Sequence, residues 1–193
     1  MRFYLLIKFI VLLTFLISNS AFSQGYFLGQ AGYGQLNQRA ISSNNVYPSG
    51  YTYGVGGGIR QSFFEIEGLL QKIDLAGDIN HDGASNGIKH EQTSFTFAIN
   101  FYLSKRFYAR LGYSMNRIDQ SLEEKISDAS MEGARKSYDL HENANADGVT
   151  YGGGFVLYDS SSLGIFTQFE NLSMPSASAN TLNFSVGIRV YSR

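Results

Sequence analysis

Sixteen carboxylates, fifteen Lys or Arg and three histidines are the chemistry this 193-residue chain carries, and it has no cysteine. Asp78-Ile79-Asn80-His81-Asp82-Gly83 copies the first half of a calcium loop, with oxygen ligands at alternate positions and a glycine for the sharp turn. Its twelfth position is Lys89, where a bidentate Glu is needed, so a polar hairpin loop is expected there, with at most a weak divalent-cation site. His81, His90 and His141 fall in expected loops or at a strand edge, beside no recognisable nucleophile motif. His141-Glu142-Asn143-Ala144-Asn145 lacks a second His at the metalloprotease spacing. Gly56-Gly57-Gly58 and Gly152-Gly153-Gly154 lie in expected strands with no helix after them, so close packing inside a narrow barrel is expected there rather than a phosphate cradle. No catalytic residue, metal ligand or cofactor is therefore expected, and the chain is read as non-enzymatic.

A different set of charges stands out by position. Arg60, Glu65, Glu67, Arg110, Glu170 and Arg189 all occupy the polar side of segments whose other side is apolar. Such segments recur eight times, over residues 25–36, 51–61, 63–73, 92–103, 107–116, 149–158, 163–171 and 181–191. In the fourth, Phe95, Phe97, Ile99, Phe101 and Leu103 alternate with Ser94, Thr96, Ala98, Asn100 and Tyr102. An extended chain sends successive side chains to opposite faces, so each segment predicts a strand between two solvents. A span of about 9 to 11 residues suffices to cross a membrane as a tilted strand.

The connections alternate as strictly as the side chains. Gln61-Ser62, Ser104-Lys105-Arg106 and Asp159-Ser160-Ser161-Ser162 are short, whereas 37–50, 74–91, 117–148 and 172–180 are long. An even strand number with tight turns at one end and longer loops at the other is the pattern of bacterial outer-membrane barrels. Ahead of the strands, Arg2 and Lys8 precede an apolar run over residues 9–17, and Ala21-Phe22-Ser23 offers small residues to a signal peptidase. A cleaved signal peptide is expected over 1–23 and one domain over 24–193. A formal charge of -1 argues against a nucleic-acid partner. Residues 119–141 carry Leu122, Ile126 and Met131 among charges, with Ser121 three before Glu124, and predict a short amphipathic helix inside the third long loop.

The opening Gly25-Tyr26-Phe27-Leu28-Gly29, the upstroke Phe107-Tyr108-Ala109-Arg110-Leu111-Gly112-Tyr113 after a basic turn, and the closing Phe184-Ser185-Val186-Gly187-Ile188-Arg189-Val190-Tyr191 are the residues on which a family resemblance rests. With the signal peptide, they make the chain resemble the small outer-membrane β-barrel families, in the style of the outer membrane protein A membrane domain and its porin-family relatives. The resemblance implies an all-β, eight-stranded antiparallel transmembrane up-and-down β-barrel with short periplasmic turns and long external loops. It implies location in the cell outer membrane, contact with outer-membrane lipid and lipopolysaccharide, and handling by the barrel-assembly machinery.

An eight-stranded barrel is just wide enough for side chains to fill it. The six charged residues are thus expected to pair as a plug in the lumen, with inward glycines making room for them. The expected role is structural or surface interaction through the external loops. A narrow passive pore is the alternative, and a soluble periplasmic ligand-binding barrel or a lipid-modifying barrel enzyme stands further off.

Overall fold

A computed structural model describes residues 24–38, 46–81, 84–122 and 143–192. The expected signal peptide, most of the expected helix over 119–141, and Asp82 and Gly83 of the calcium-like loop lie outside the described residues. Eight strands run in chain order: β1 (Gln24–Gln38), β2 (Ser49–Arg60), β3 (Phe64–His81), β4 (Ala84–Tyr102), β5 (Phe107–Leu122), β6 (Ala144–Asp159), β7 (Leu163–Met174) and β8 (Ala179–Tyr191). Each pairs antiparallel with its sequence neighbour, and β1 pairs with β8 from Tyr26 opposite Tyr191 to Gln38 opposite Ala179. Closure leaves no edge strand with unpaired backbone groups. Among the described residues the one helical element is a 3-10 turn, Pro175–Ala177, between β7 and β8.

Alternation decides which side chains go where. On β4 the outward set contains Phe95, Phe97 and Phe101, all exposed, while Ser94, Thr96, Ala98 and Asn100 are buried in the lumen. On β8, Phe184, Val186, Ile188 and Val190 face out, and Asn183, Ser185 and Arg189 face in. Tyr33 and Tyr51 mark the upper edge of this outward apolar belt, with Tyr53, Tyr113 and Tyr151 one step inside it, and Phe63, Leu103 and Phe107 its lower edge.

The strands are longer than the sequence pattern predicts, and the extra length lies at the long-loop end. The expected loop over 74–91 is almost wholly strand: β3 and β4 stay paired up to His81 opposite Ala84. His90, expected in a loop, lies on β4 with its side chain fully buried. The expected helix is contradicted where it can be seen, because residues 119–122 complete β5, with Lys89 opposite Ser121. The physical reason is a swap of polarity. Up to Leu70 the outward residues of β3 are apolar; beyond it Lys72 and Asp74 face out while Ile73 and Leu75 face in. A search for outward apolar residues stops where the swap occurs.

Inward glycines serve two purposes. At Gly154 an added Cβ would fall 2.2 Å from the Tyr108 ring, and at Gly187 2.3 Å from the Phe166 ring, so these positions do make room for large inward side chains. At Gly32 and Gly152 it would instead meet the neighbouring strand's carbonyl oxygen at 2.1 Å, so bare backbone is required by close strand approach rather than by a bulky neighbour.

Candidate functional site

The lumen is filled in three layers, and the lowest, toward the short turns, holds the charges. Glu65 is fully buried and lies 3.0 Å from an Nη of Arg189 and 3.7 Å from Nε of Arg60. Glu67 accepts from Nη1 of Arg110 at 2.7 Å and lies 3.8 Å from Arg189. Arg110 reaches Glu170 with Nε at 3.1 Å. All six charged residues picked out by parity thus stand in one connected set of ion pairs.

Hydrogen bonds add to the same carboxylate oxygens. Tyr102 and Asn100 donate to Glu65 at 2.6 and 3.2 Å, Tyr26 donates to Glu67 at 3.1 Å, and Gln168 donates to Glu170 at 2.8 Å. The Arg189 guanidinium sits 4.2 Å from the centre of the Phe166 ring, with the Tyr26 and Tyr108 rings at 5.4 and 5.5 Å. Aromatic faces carry partial negative charge and attract such cations. A buried ion set is tolerated only when attraction and hydrogen bonds offset desolvation, and here each carboxylate has at least two partners.

Sequence reasoning missed the seventh charged member. Asp159 accepts from Arg60 at 2.8 Å and from the Tyr191 hydroxyl at 3.0 Å. By simple alternation from Val149 and Tyr151 it would face outward. The pairing of β6 with β7 slips between Val156 and Tyr158, and this bulge places Asp159 on the lumen side. Bulges re-aim side chains in this way, and the only sequence signal was an acid directly before a run of serines. Tyr102 and Tyr191 fall on the polar side by alternation and do join this layer, whereas Tyr26 and Tyr108 were missed, because tyrosine suits both the apolar and the polar side of a strand.

The middle layer is neutral. Thr52 donates to Asn183 at 2.8 Å, Thr96 to Ser114 at 3.0 Å, and Gln92 to Asn116 at 3.0 Å. Gln30, Gln71, Ser94, Thr150 and Ser185 keep buried polar atoms with no hydrogen-bond partner among the described residues. The upper layer is apolar, with Leu36, Ile73, Leu75, Ile88, Ile118 and Met174 packed as one cluster. His90 is set among them, its Nε2 3.2 Å from Gln92 Oε1 and its Nδ1 3.0 Å from Gln120 Nε2, which also donates to Gln38 at 2.7 Å. Since the Gln120 amide can only donate, Nδ1 accepts and Nε2 carries the proton.

Outside the upper layer, Lys72 lies 3.5 Å from both Asp74 and Glu91, and Lys89 also pairs with Glu91. The Lys89 hydrogen bond holds the Glu91 carboxyl below the usual carboxylate range, and the Asp74 charge raises the Lys72 ammonium. Among the described residues no three His, Asp or Glu side chains are grouped to hold a metal.

No family model and no curated protein matches the sequence. Solved structures match the fold. Neisserial surface protein A superposes with a TM-score of 0.52 at 11% identity, over 86% of this chain and 96% of that one. Ail, the attachment invasion locus protein of Yersinia pestis, gives 0.50 at 11%, over 88% and 98%, and outer membrane protein OprG from Pseudomonas aeruginosa gives 0.50 at 10%, over 88% and 96%. The chain therefore has the fold of the small eight-stranded outer-membrane barrels.

Proposed function

We propose that the protein is a non-enzymatic integral barrel of the outer membrane, closed to ions, that acts through its long-loop end. The observation that carries this reading is the inversion at membrane level: large exposed apolar side chains on every strand face out, around a lumen packed with ion pairs. A soluble barrel would reverse that distribution, because burying Arg110 and Glu67 while exposing Phe97 and Val186 lowers free energy only when the outer solvent is lipid. Chain entry from the periplasm and an even strand number argue for a periplasmic position of the start of β1, the end of β8 and the short turns. The external end, with residues 39–45, 82–83 and 123–142 joining its strands, is the surface open to lipopolysaccharide and to a partner.

Two closures support a non-conducting lumen: the ion-pair layer below and the apolar cluster above. The unpartnered polar atoms of the middle layer favour the pore alternative, since they suit water, but water there must pass both closures to make a path. Fractionation with gel mobility before and after boiling tests the location. A protein found in the outer membrane, with faster mobility unboiled, is expected; recovery from the periplasm without detergent contradicts it. Steady single-channel conductance of the intact protein in planar bilayers would establish the pore instead.

A further inference from the structure

The short-turn end carries chemistry that a closed barrel does not need. A cavity of about 600 Å³ opens there between the β2–β3 turn, the β4–β5 turn and the bulged end of β6. Its inner wall is Arg60, fixed by Asp159 and lying 4.8 Å from the centre of the Tyr102 ring, with 21% of its side chain still exposed. Across from it stand Lys105 and Arg106, neither of which belongs to an ion pair among the described residues. Three cations therefore line the cavity with one carboxylate, Asp159, which Arg60 and Tyr191 already engage; Glu65 lies behind Arg60, so Lys105 and Arg106 carry the cavity's uncompensated charge. Ser104 adds a hydroxyl whose oxygen accepts from the Arg106 and Phe107 amides, leaving its proton to donate outward.

The rim adds a second chemistry. Phe63, Leu157 and Tyr158 also border the cavity and are more than half exposed, so the lower edge of the apolar belt runs up to a basic pocket. We propose that this vestibule binds a phosphate ester, and that the form it takes is a phospholipid of the leaflet facing the short turns. The phosphate sits between Arg106, Lys105 and Arg60, where a guanidinium can offer two parallel donors, and the acyl chains lie along Phe63 and Leu157. The assignment rests on the membrane reading above.

The test uses the full barrel refolded in phosphatidylcholine nanodiscs, with insertion verified first by heat-modifiable mobility, so that a failure of the membrane reading is seen separately. Phosphatidylglycerol is then titrated into the bilayer and, in a parallel arm, glycerol 3-phosphate into the buffer, following backbone amide shifts by NMR. Saturable shifts confined to residues 61–63, 103–107 and 156–160 are expected with phosphatidylglycerol, weakened about tenfold or more by Arg106→Gln and further by Lys105→Gln. Both residues are exposed turn positions, and an unchanged spectrum elsewhere shows that the variants fold. Saturation by glycerol 3-phosphate alone supports the same site with a soluble ligand. No saturable shift in either arm, or shifts that persist undiminished in the double variant, would overturn the proposal.

Discussion

The lower and upper halves of this barrel are built on the same strands with opposite chemistry. In the lower half the lumen holds Arg110, Glu67, Glu170 and Arg189 and the outside holds Phe97, Leu111 and Val186. In the upper half the lumen holds Leu36, Ile73 and Met174 and the outside holds Lys72, Asp74 and Glu91. Strand register does not change between them; only the assignment of polarity to the two faces does. On the membrane reading proposed above, the surroundings explain the swap, since lipid makes apolar side chains cheap outside and water makes them cheap inside. The upper half is thus packed like a soluble protein, standing on a section packed for a membrane.

The largest effects are expected where a charge would lose its partners inside the membrane section. Arg110→Ala takes the nearest cation from both Glu67 and Glu170 and should cost about 3 to 5 kcal/mol in urea unfolding from lipid, with the Glu67→Ala double variant far from additive. Additive losses below about 1 kcal/mol would mean that the charges are solvated singly, and the lumen open. Next comes truncation in the upper cluster. Ile73→Ala should cost roughly 2 to 4 kcal/mol, and hydrogen exchange should locate the loss in the paired end of β3 and β4 rather than around Arg189. Equal exchange at both levels would make the two halves one cooperative unit.

An outward charge scan sharpens the boundary between them. Val186→Arg, at the middle of the belt, should cost roughly 2 to 4 kcal/mol, and Thr93→Arg, one step above it, no more than about 1. The smallest effect belongs to the outer ion pairs. Glu91 has its carboxyl pKa lowered by Lys89, so the stability it adds is present above its ordinary value near 4.5 and is lost as pH falls through the lowered one. Because the pair is in water, Glu91→Gln should leave the unfolding midpoint unmoved at pH 7 and flatten only its acid limb.

The lower section was legible in the sequence because it follows a simple rule, one apolar face per strand, and Phe95 to Leu103 obeys it without exception. Strand number, order and the short turns follow from it. The upper section was not legible by that rule. There, Ile73, Leu75, Ile88 and Ile118 sit on the lumen side, so the alternation continues with its faces exchanged and reads as the end of a strand. The inward charges were legible because parity identifies them once a strand is placed, whereas Asp159 was hidden by a bulge that no local residue type announces. Tyr26 and Tyr108 were hidden for another reason: their rings satisfy either face, and only the glycines opposite them at Gly58 and Gly154 show which side they fill.

The exchange of faces, and with it the claim that lipid surrounds only the lower half, can be measured directly because the chain has no cysteine to remove. Nitroxide spin labels on single Cys variants at Phe97, Leu111 and Val186, and at Thr93, Glu91 and Asp119, would be compared in bilayers for collision with oxygen and with a water-soluble nickel chelate. Labels at the first three sites should collide with oxygen and be shielded from nickel, and those at the last three should do the reverse. Nickel access at Phe97, Leu111 and Val186 equal to that at Glu91 would contradict the account.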